Sequence, residues 1–179
     1  MTIWTDHTHE EQTYTFTHLV PFNFAIQLAA KGNLPARTVH IHVSFRCHTF
    51  TRNWSAADLP QWRYLGTNEM RTFDLERYTH SFQLPTILGA SLAGRYIEFA
   101  SDKNGISSYV TIETEEGKKY AAFFDVRKLR DANREVPNAV SLDCKSAYVL
   151  DPDKPHPGVG RVRLNTIVGH AMRGTRPHP

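Results

Sequence analysis

A chain of 179 residues with 40% hydrophobic and 22% charged side chains has the size and balance of one globular domain. That composition excludes a collagen-like, wholly disordered or integral membrane protein, and no run reaches the ~18 apolar residues of a spanning helix. The formal charge of +3 is too small to announce a polyanionic partner by itself.

Residues 1–7 have neither the basic start nor the apolar core of a signal peptide, so a cytoplasmic product without a membrane partner is expected. Residues 14–17 read as a short strand. Residues 22–30 read as a helix stopped by Gly32 and Pro35. The strongest strand signal follows at residues 37–50. Val39, Ile41, Val43, Phe45 and Cys47 share one parity, while His40, His42, Ser44, Arg46 and His48 share the other. A period of two sends the two rows to opposite faces, with the apolar row toward the core. Residues 55–58 open a helical turn limited by Pro60. Residues 85–93 read as a helix burying Ile87, Leu88 and Leu92, weakened by Gly89 and stopped by Gly94.

The second half reads as a meander. Strands are expected at 95–100, 106–114, 119–127 and from Val136 or Ala139 to Leu150. The first turn, at 101–105, contains Asn104-Gly105, and the second lies at 115–118. No helical crossover separates these strands, so antiparallel pairing is expected. The fold class is therefore α+β: a curved antiparallel sheet with one or two helices in a core domain over residues 1–151. Residues 152–179 read as a less regular basic extension. They hold half of the ten prolines and carry five basic groups against one acidic group. Regular structure is expected to stop near Asp151, except for a short element at 161–168, and residues 173–179 read as a flexible basic end.

Ten histidines are many for this length, and three lie in the polar row of residues 37–50. Histidines two apart on a strand project together, roughly 6–7 Å apart. They can supply two metal nitrogens, but a zinc site needs a further ligand from elsewhere, such as Glu98, Asp125 or His80. The same row suits metal-independent phosphodiester cleavage. His42 is the preferred general acid or base and His40 its counterpart, because imidazole titrates near neutrality. Arg46 stabilises phosphate charge and Ser44 orients an oxygen. The plainer alternative is a hydrated sheet face whose histidines bond their neighbours and whose Arg46 pairs with an acid.

A second cluster spans residues 141–148. In a regular strand, Lys145 and Ala147 face one way, and Cys144, Ser146 and Tyr148 the other. Ser146 and Tyr148 are candidates to hold phosphate oxygens. His48 joins them as a substrate contact. Trp54 and Trp62 are flanked by Arg52 and Arg63, so Arg52, Trp54 and Arg63 are candidates for phosphate contact and base stacking. Nucleotide-binding glycine loops, His-Glu-x-x-His and paired Cys-x-x-Cys motifs are absent. Cys47 sits in the apolar row, and the two cysteines cannot make a disulfide scaffold.

Within residues 37–151, the histidine-bearing region, the hairpin over 106–127 and a last strand carrying Lys145-Ser146-Ala147-Tyr148 resemble the barnase/EndoU/colicin/RelE-like ribonuclease superfamily. The resemblance implies a small α+β ribonuclease without metal or cofactor, of the kind that serves as a toxin with a protein inhibitor. Its chemistry maps onto His40 or His42, Arg46, Ser146 and Tyr148. Three readings stand open from sequence. They are a metal-independent ribonuclease acting on RNA, a non-catalytic protein- or nucleic-acid-interaction protein, and a metal-dependent hydrolase with a histidine-based site.

Overall fold

The computed structural model describes residues 4–32, 35–102, 105–131, 134–155 and 157–175. In chain order the elements are β1 (His7–His9), β2 (Gln12–Tyr14), β3 (Phe22–Leu28), β4 (Arg37–Phe45), β5 (Thr51–Asn53), β6 (Arg63–Tyr64) and β7 (Arg71–Phe73). The short helices α1 (Leu75–Ser81) and α2 (Leu84–Ile87) follow. Then come β8 (Tyr96–Asp102), β9 (Gly105–Glu113), β10 (Lys119–Asp131), β11 (Arg134–Val149), β12 (Gly158–Arg163) and α3 (Leu164–Met172).

The principal sheet has seven strands in the order β12-β8-β9-β10-β11-β4-β3. Every pairing in it is antiparallel except that of β11 with β4. β5, β7 and β6 form a smaller sheet, and β1 pairs with β2. The helix α3 touches both edge strands, β12 and β3, and also the central β10 and β11. A helix that does so lies in the hollow of a curved sheet. The molecule is thus an α+β half-barrel with a mostly antiparallel, mixed sheet; the α+β class and the curved sheet are as expected, and the parallel pairing of β11 with β4 is not.

The apolar row of β4 lines that hollow: Val39, Ile41 and Val43 are 0% exposed and Phe45 4%. Phe124, Val140, Leu142 and Cys144 join it from β10 and β11. The strand does not run to residue 50. It leaves the sheet after Phe45, where the Arg46 amide donates to the Cys144 carbonyl at 2.9 Å. Residues Cys47–Thr49 then make a 3-10 turn, fastened by the Thr49 hydroxyl on the Arg46 carbonyl and the Thr51 hydroxyl on the Cys47 carbonyl.

Three further expectations are corrected. Residues 22–30 form no helix. Phe22, Phe24, Ile26 and Leu28 also alternate with a period of two, and seven residues of β3 pair with β4. The helix expected over 85–93 is broken at Gly89, where a Cβ would come within 2.7 Å of the Pro85 carbonyl oxygen. α2 therefore ends at Ile87, and a 3-10 turn over Ala90–Gly94 carries Leu92 into the core. Regular structure also does not stop near Asp151. β12 pairs with β8, and α3 buries Leu164, Ile167, Val168 and Ala171. Their spacing of 3, 1 and 3 residues is that of one helical face. The turn at 115–118 is present, with Gly117 at φ +74°. Residues 103–104 of the other expected turn, and residues 176–179 of the basic end, lie outside the described residues.

His18 shows how the core handles a titratable ring. It stacks on Phe82 with centroids 3.8 Å apart, and its Nε2 lies 2.7 Å from the Ser81 hydroxyl. That hydroxyl donates its one proton to the Tyr78 carbonyl, so His18 Nε2 must be the donor. Nδ1 is then unprotonated, buried and without a partner. Burial lowers the pKa from 6.5 to about 4. Between those values the unfolded chain binds the extra proton, so folding stability should fall as pH drops from about 7 toward 4. The expected His18 contribution is about 1–2 kcal/mol, less than the full shift because the ring is partly exposed. Urea denaturation at pH 7 and 5 checks this. A His18→Gln variant should lose less stability over that interval than the parent.

Candidate functional site

The polar row of β4 stands on the convex face of the sheet, away from α3. His40 is exposed, opposite Ala25 on one side and Ala139 on the other. His42 sits beside Asn23, and its Nδ1 donates to Asn23 Oδ1 at 2.9 Å. The Ser44 hydroxyl donates to Asp143 Oδ1 at 3.4 Å. Arg46 grips the same carboxylate, with Nε at 2.7 Å and Nη2 at 2.6 Å from Oδ2. This bonding raises the Arg46 pKa further. Next along the face, Lys145 reaches Asp125 at 3.1 Å and the Ser107 hydroxyl at 2.9 Å, and Arg127 reaches Asp125 at 3.0 Å.

Ser146 and Tyr148 lie on this convex side because β11 carries a bulge. Phe123 pairs with Ser146 and Phe124 with Cys144, which leaves Lys145 as the extra residue. The bulge inverts the parity that a regular strand would have. Cys144 therefore does not share a face with Tyr148. It is fully buried in the hollow, and burial pushes its thiol pKa up. Ala147 turns inward in its turn. Outside, the Tyr148 ring stacks on Phe123 with centroids 5.2 Å apart, and Phe123 stacks on Tyr109 at 5.1 Å. The Tyr109 hydroxyl donates to Glu98 Oε2 at 2.8 Å.

The candidates thus fall into two groups. His42 is opposite Ser141 in register, and Tyr148 lies seven residues farther along β11, roughly 20 Å away by strand rise. His40 and His42 are not brought to Ser146 and Tyr148. At the far end, the His48 carbonyl accepts from Ser146 Oγ at 3.4 Å and from Arg77 Nη1 at 3.0 Å. The Arg77 guanidinium also covers the Tyr148 ring, 5.0 Å from its centroid. Burial lowers the Arg77 pKa. The His48 ring turns away from this meeting point to Glu69, 3.1 Å from Nε2. Burial and Arg71 together lower the His48 pKa despite that carboxylate.

The remaining candidates belong to the small sheet. Arg52 is held by both oxygens of Asp58, with Asp74 3.6 Å away. Asp58 also accepts from Thr72 Oγ1 at 2.6 Å and from the Ser55 amide at 2.7 Å. These bonds, Arg52 foremost, hold its carboxyl below the ordinary aspartate range. Trp54 is half-buried and Arg63 exposed on β6. Among the described residues, no three His, Cys, Asp or Glu side chains gather in a way that could hold a metal ion. No helix among them is long and apolar enough to cross a membrane.

One arrangement on the convex face escaped the sequence reading. Tyr96 opens β8 with 51% of its surface exposed. Arg163 is its direct partner on β12, and Arg161 is two residues away on the same face. The guanidinium carbons stand 5.0 and 5.2 Å from the Tyr96 centroid. Neither arginine makes an ion pair among the described residues. The signal was present as two arginines at i and i+2, the period of a strand.

The fold is an α+β half-barrel whose convex face carries the histidine row, the separate Ser146/Tyr148 pair and, at one edge, Tyr96 with Arg161 and Arg163. A model described as the YjaZ family matches residues 6–172, and the chain belongs to that family. No curated protein and no solved structure matches it.

Proposed function

We propose that this protein is a non-catalytic recognition module that binds single-stranded nucleic acid along the β8–β12 edge. The observation that carries this reading is the half-exposed Tyr96 ring with the Arg161 and Arg163 guanidiniums of β12 over it. An exposed aromatic ring offers a stacking surface to any base, and a guanidinium beside it pairs with phosphate in a planar fork. The histidine row supports catalysis less well. Its His42 is bonded to Asn23, its Arg46 is committed to Asp143, and both histidines stand apart from Ser146 and Tyr148.

Fluorescence anisotropy with a labelled single-stranded RNA, and the matching DNA, tests the proposal. Tyr96→Ala should weaken binding by about 5- to 100-fold, the range of one lost stacking contact. Arg161→Gln with Arg163→Gln should weaken it further and flatten its salt dependence. Absence of binding, or binding indifferent to all three substitutions, would overturn it.

A ribonuclease reading retains one supporting observation: Ser146 and Arg77 meet at the His48 carbonyl, and the Arg77 guanidinium covers the Tyr148 ring. Cleavage of RNA in EDTA, lost in Arg77→Gln or Tyr148→Phe, would favour that reading over the binding module.

A further inference from the structure

A second cationic place lies along α3. Residues 28–31 with Pro35, the first residue of β4, and α3 from Asn165 to its cap Arg173 line a half-open cleft of ≈ 260 Å³. Lys31, Arg37 and Arg173 line it, one from each of those three segments, and no acidic residue does among the described residues. None of the three cations has an ion-pair partner among the described residues. This contrasts with Arg46, Arg52, Arg71 and Lys145, each of which faces a carboxylate. The negative end of the helix dipole accounts for one cation, Arg173. It leaves Lys31 and Arg37 uncompensated. Three cations around one cleft with no carboxylate in its lining give it a positive potential that attracts an anion. Thr166 adds a hydroxyl, while Leu28 and Pro35 give the cleft an apolar wall.

We propose that this cleft binds a small phosphomonoester. A phosphate dianion satisfies the surplus charge and accepts forked hydrogen bonds from the two arginines. The ester's carbon skeleton lies on the Leu28 and Pro35 wall. The volume suits a ligand below drug size. The site is separate from the Tyr96 edge and does not depend on nucleic-acid binding there.

Calorimetric titration of the full chain with glycerol 3-phosphate tests it, with inorganic phosphate and succinate as comparison probes. Saturable binding with a dissociation constant below about 1 mM is expected. Arg37→Gln and Arg173→Gln should each weaken it about tenfold through loss of a charge-assisted hydrogen bond. Arg161→Gln should leave it unchanged. Lys31→Gln, at an exposed loop position, gives a second reading of the site if Arg37→Gln lowers the melting temperature. Absence of saturation, or equal weakening by Arg161→Gln, overturns the site. Succinate binding as tightly as glycerol 3-phosphate overturns the phosphate class. Inorganic phosphate binding as tightly overturns the role of the apolar wall.

Discussion

A chain ending at Asp151 is expected not to fold. Residues 152–179 supply the edge strand β12 and the helix α3, whose Leu164 and Val168 are 0% exposed, Ile167 3% and Ala171 6%. Burying a large aliphatic side chain contributes about 1.5–3 kcal/mol. Loss of Leu164, Ile167 and Val168 alone therefore removes about 5–9 kcal/mol, as much as the whole stability of many domains. Truncation also uncovers apolar side chains of β10 and β11, which invites association. The expected result is a product without a cooperative thermal transition and with strong binding of an apolar dye. Leu164→Ala in the full chain gives the graded version, a loss of about 2–5 kcal/mol in urea. A folded, cooperatively melting 1–151 fragment would show that α3 is dispensable.

Arg71→Met is expected to cost about 3 kcal/mol, far more than Arg46→Met. Arg71 is 4% exposed and knits the small sheet together. Its Nε donates to Thr51 Oγ1 at 2.7 Å, Nη2 to the Thr51 carbonyl at 3.2 Å, and Nη1 to Asn53 Oδ1 at 3.0 Å. Methionine fills the space of the stem but takes the donor from the buried Thr51 hydroxyl oxygen and leaves the Thr51 carbonyl to Arg77 Nη1 alone, 3.0 Å away. Arg46 makes a shorter ion pair, yet its side chain is 60% exposed and that of Asp143 27%. An ion pair so open to water contributes under about 1 kcal/mol. Urea midpoints of the two variants, at unchanged slope, test the order. An Arg46→Met loss equal to that of Arg71→Met would contradict it.

These two arginines also show where the sequence was legible. Arg46 is conspicuous because it stands in an alternating row, and its pairing with an acid is the plainer of the outcomes that row allows. Arg71 stood in a stretch with no periodic pattern, so nothing marked it. Its importance comes from burial between strands of two or three residues, which are too short to leave a repeat. Asp143 and Tyr148 were both in view as part of the 141–148 cluster, but their common face was not. One extra residue at Lys145 turns Ser146 and Tyr148 outward, and a bulge leaves no period-two trace. The basic character of the C-terminal segment was equally plain in the charge count. Its destination was not, because proline near Asp151 marks the end of one element without saying whether another follows.

What the sequence by itself determined is the local part of this protein. Alternation in residues 37–50, of which the structure keeps 37–45 as a strand, and through the meander assigns strands and their buried faces, because side-chain direction in a strand depends only on parity. It also determined the fold class, an α+β chain with a curved sheet. The tertiary structure alone decided the rest. Residues 22–28 are a strand because β4 offers them a ladder. The C-terminal segment is a helix in the core because the hollow of the sheet is apolar. The histidine row and the Ser146/Tyr148 pair are kept apart because β11 runs parallel to β4 with a register that no local pattern records. Contacts between elements distant in sequence carry those decisions, and their energies appear only when the chain has closed on itself.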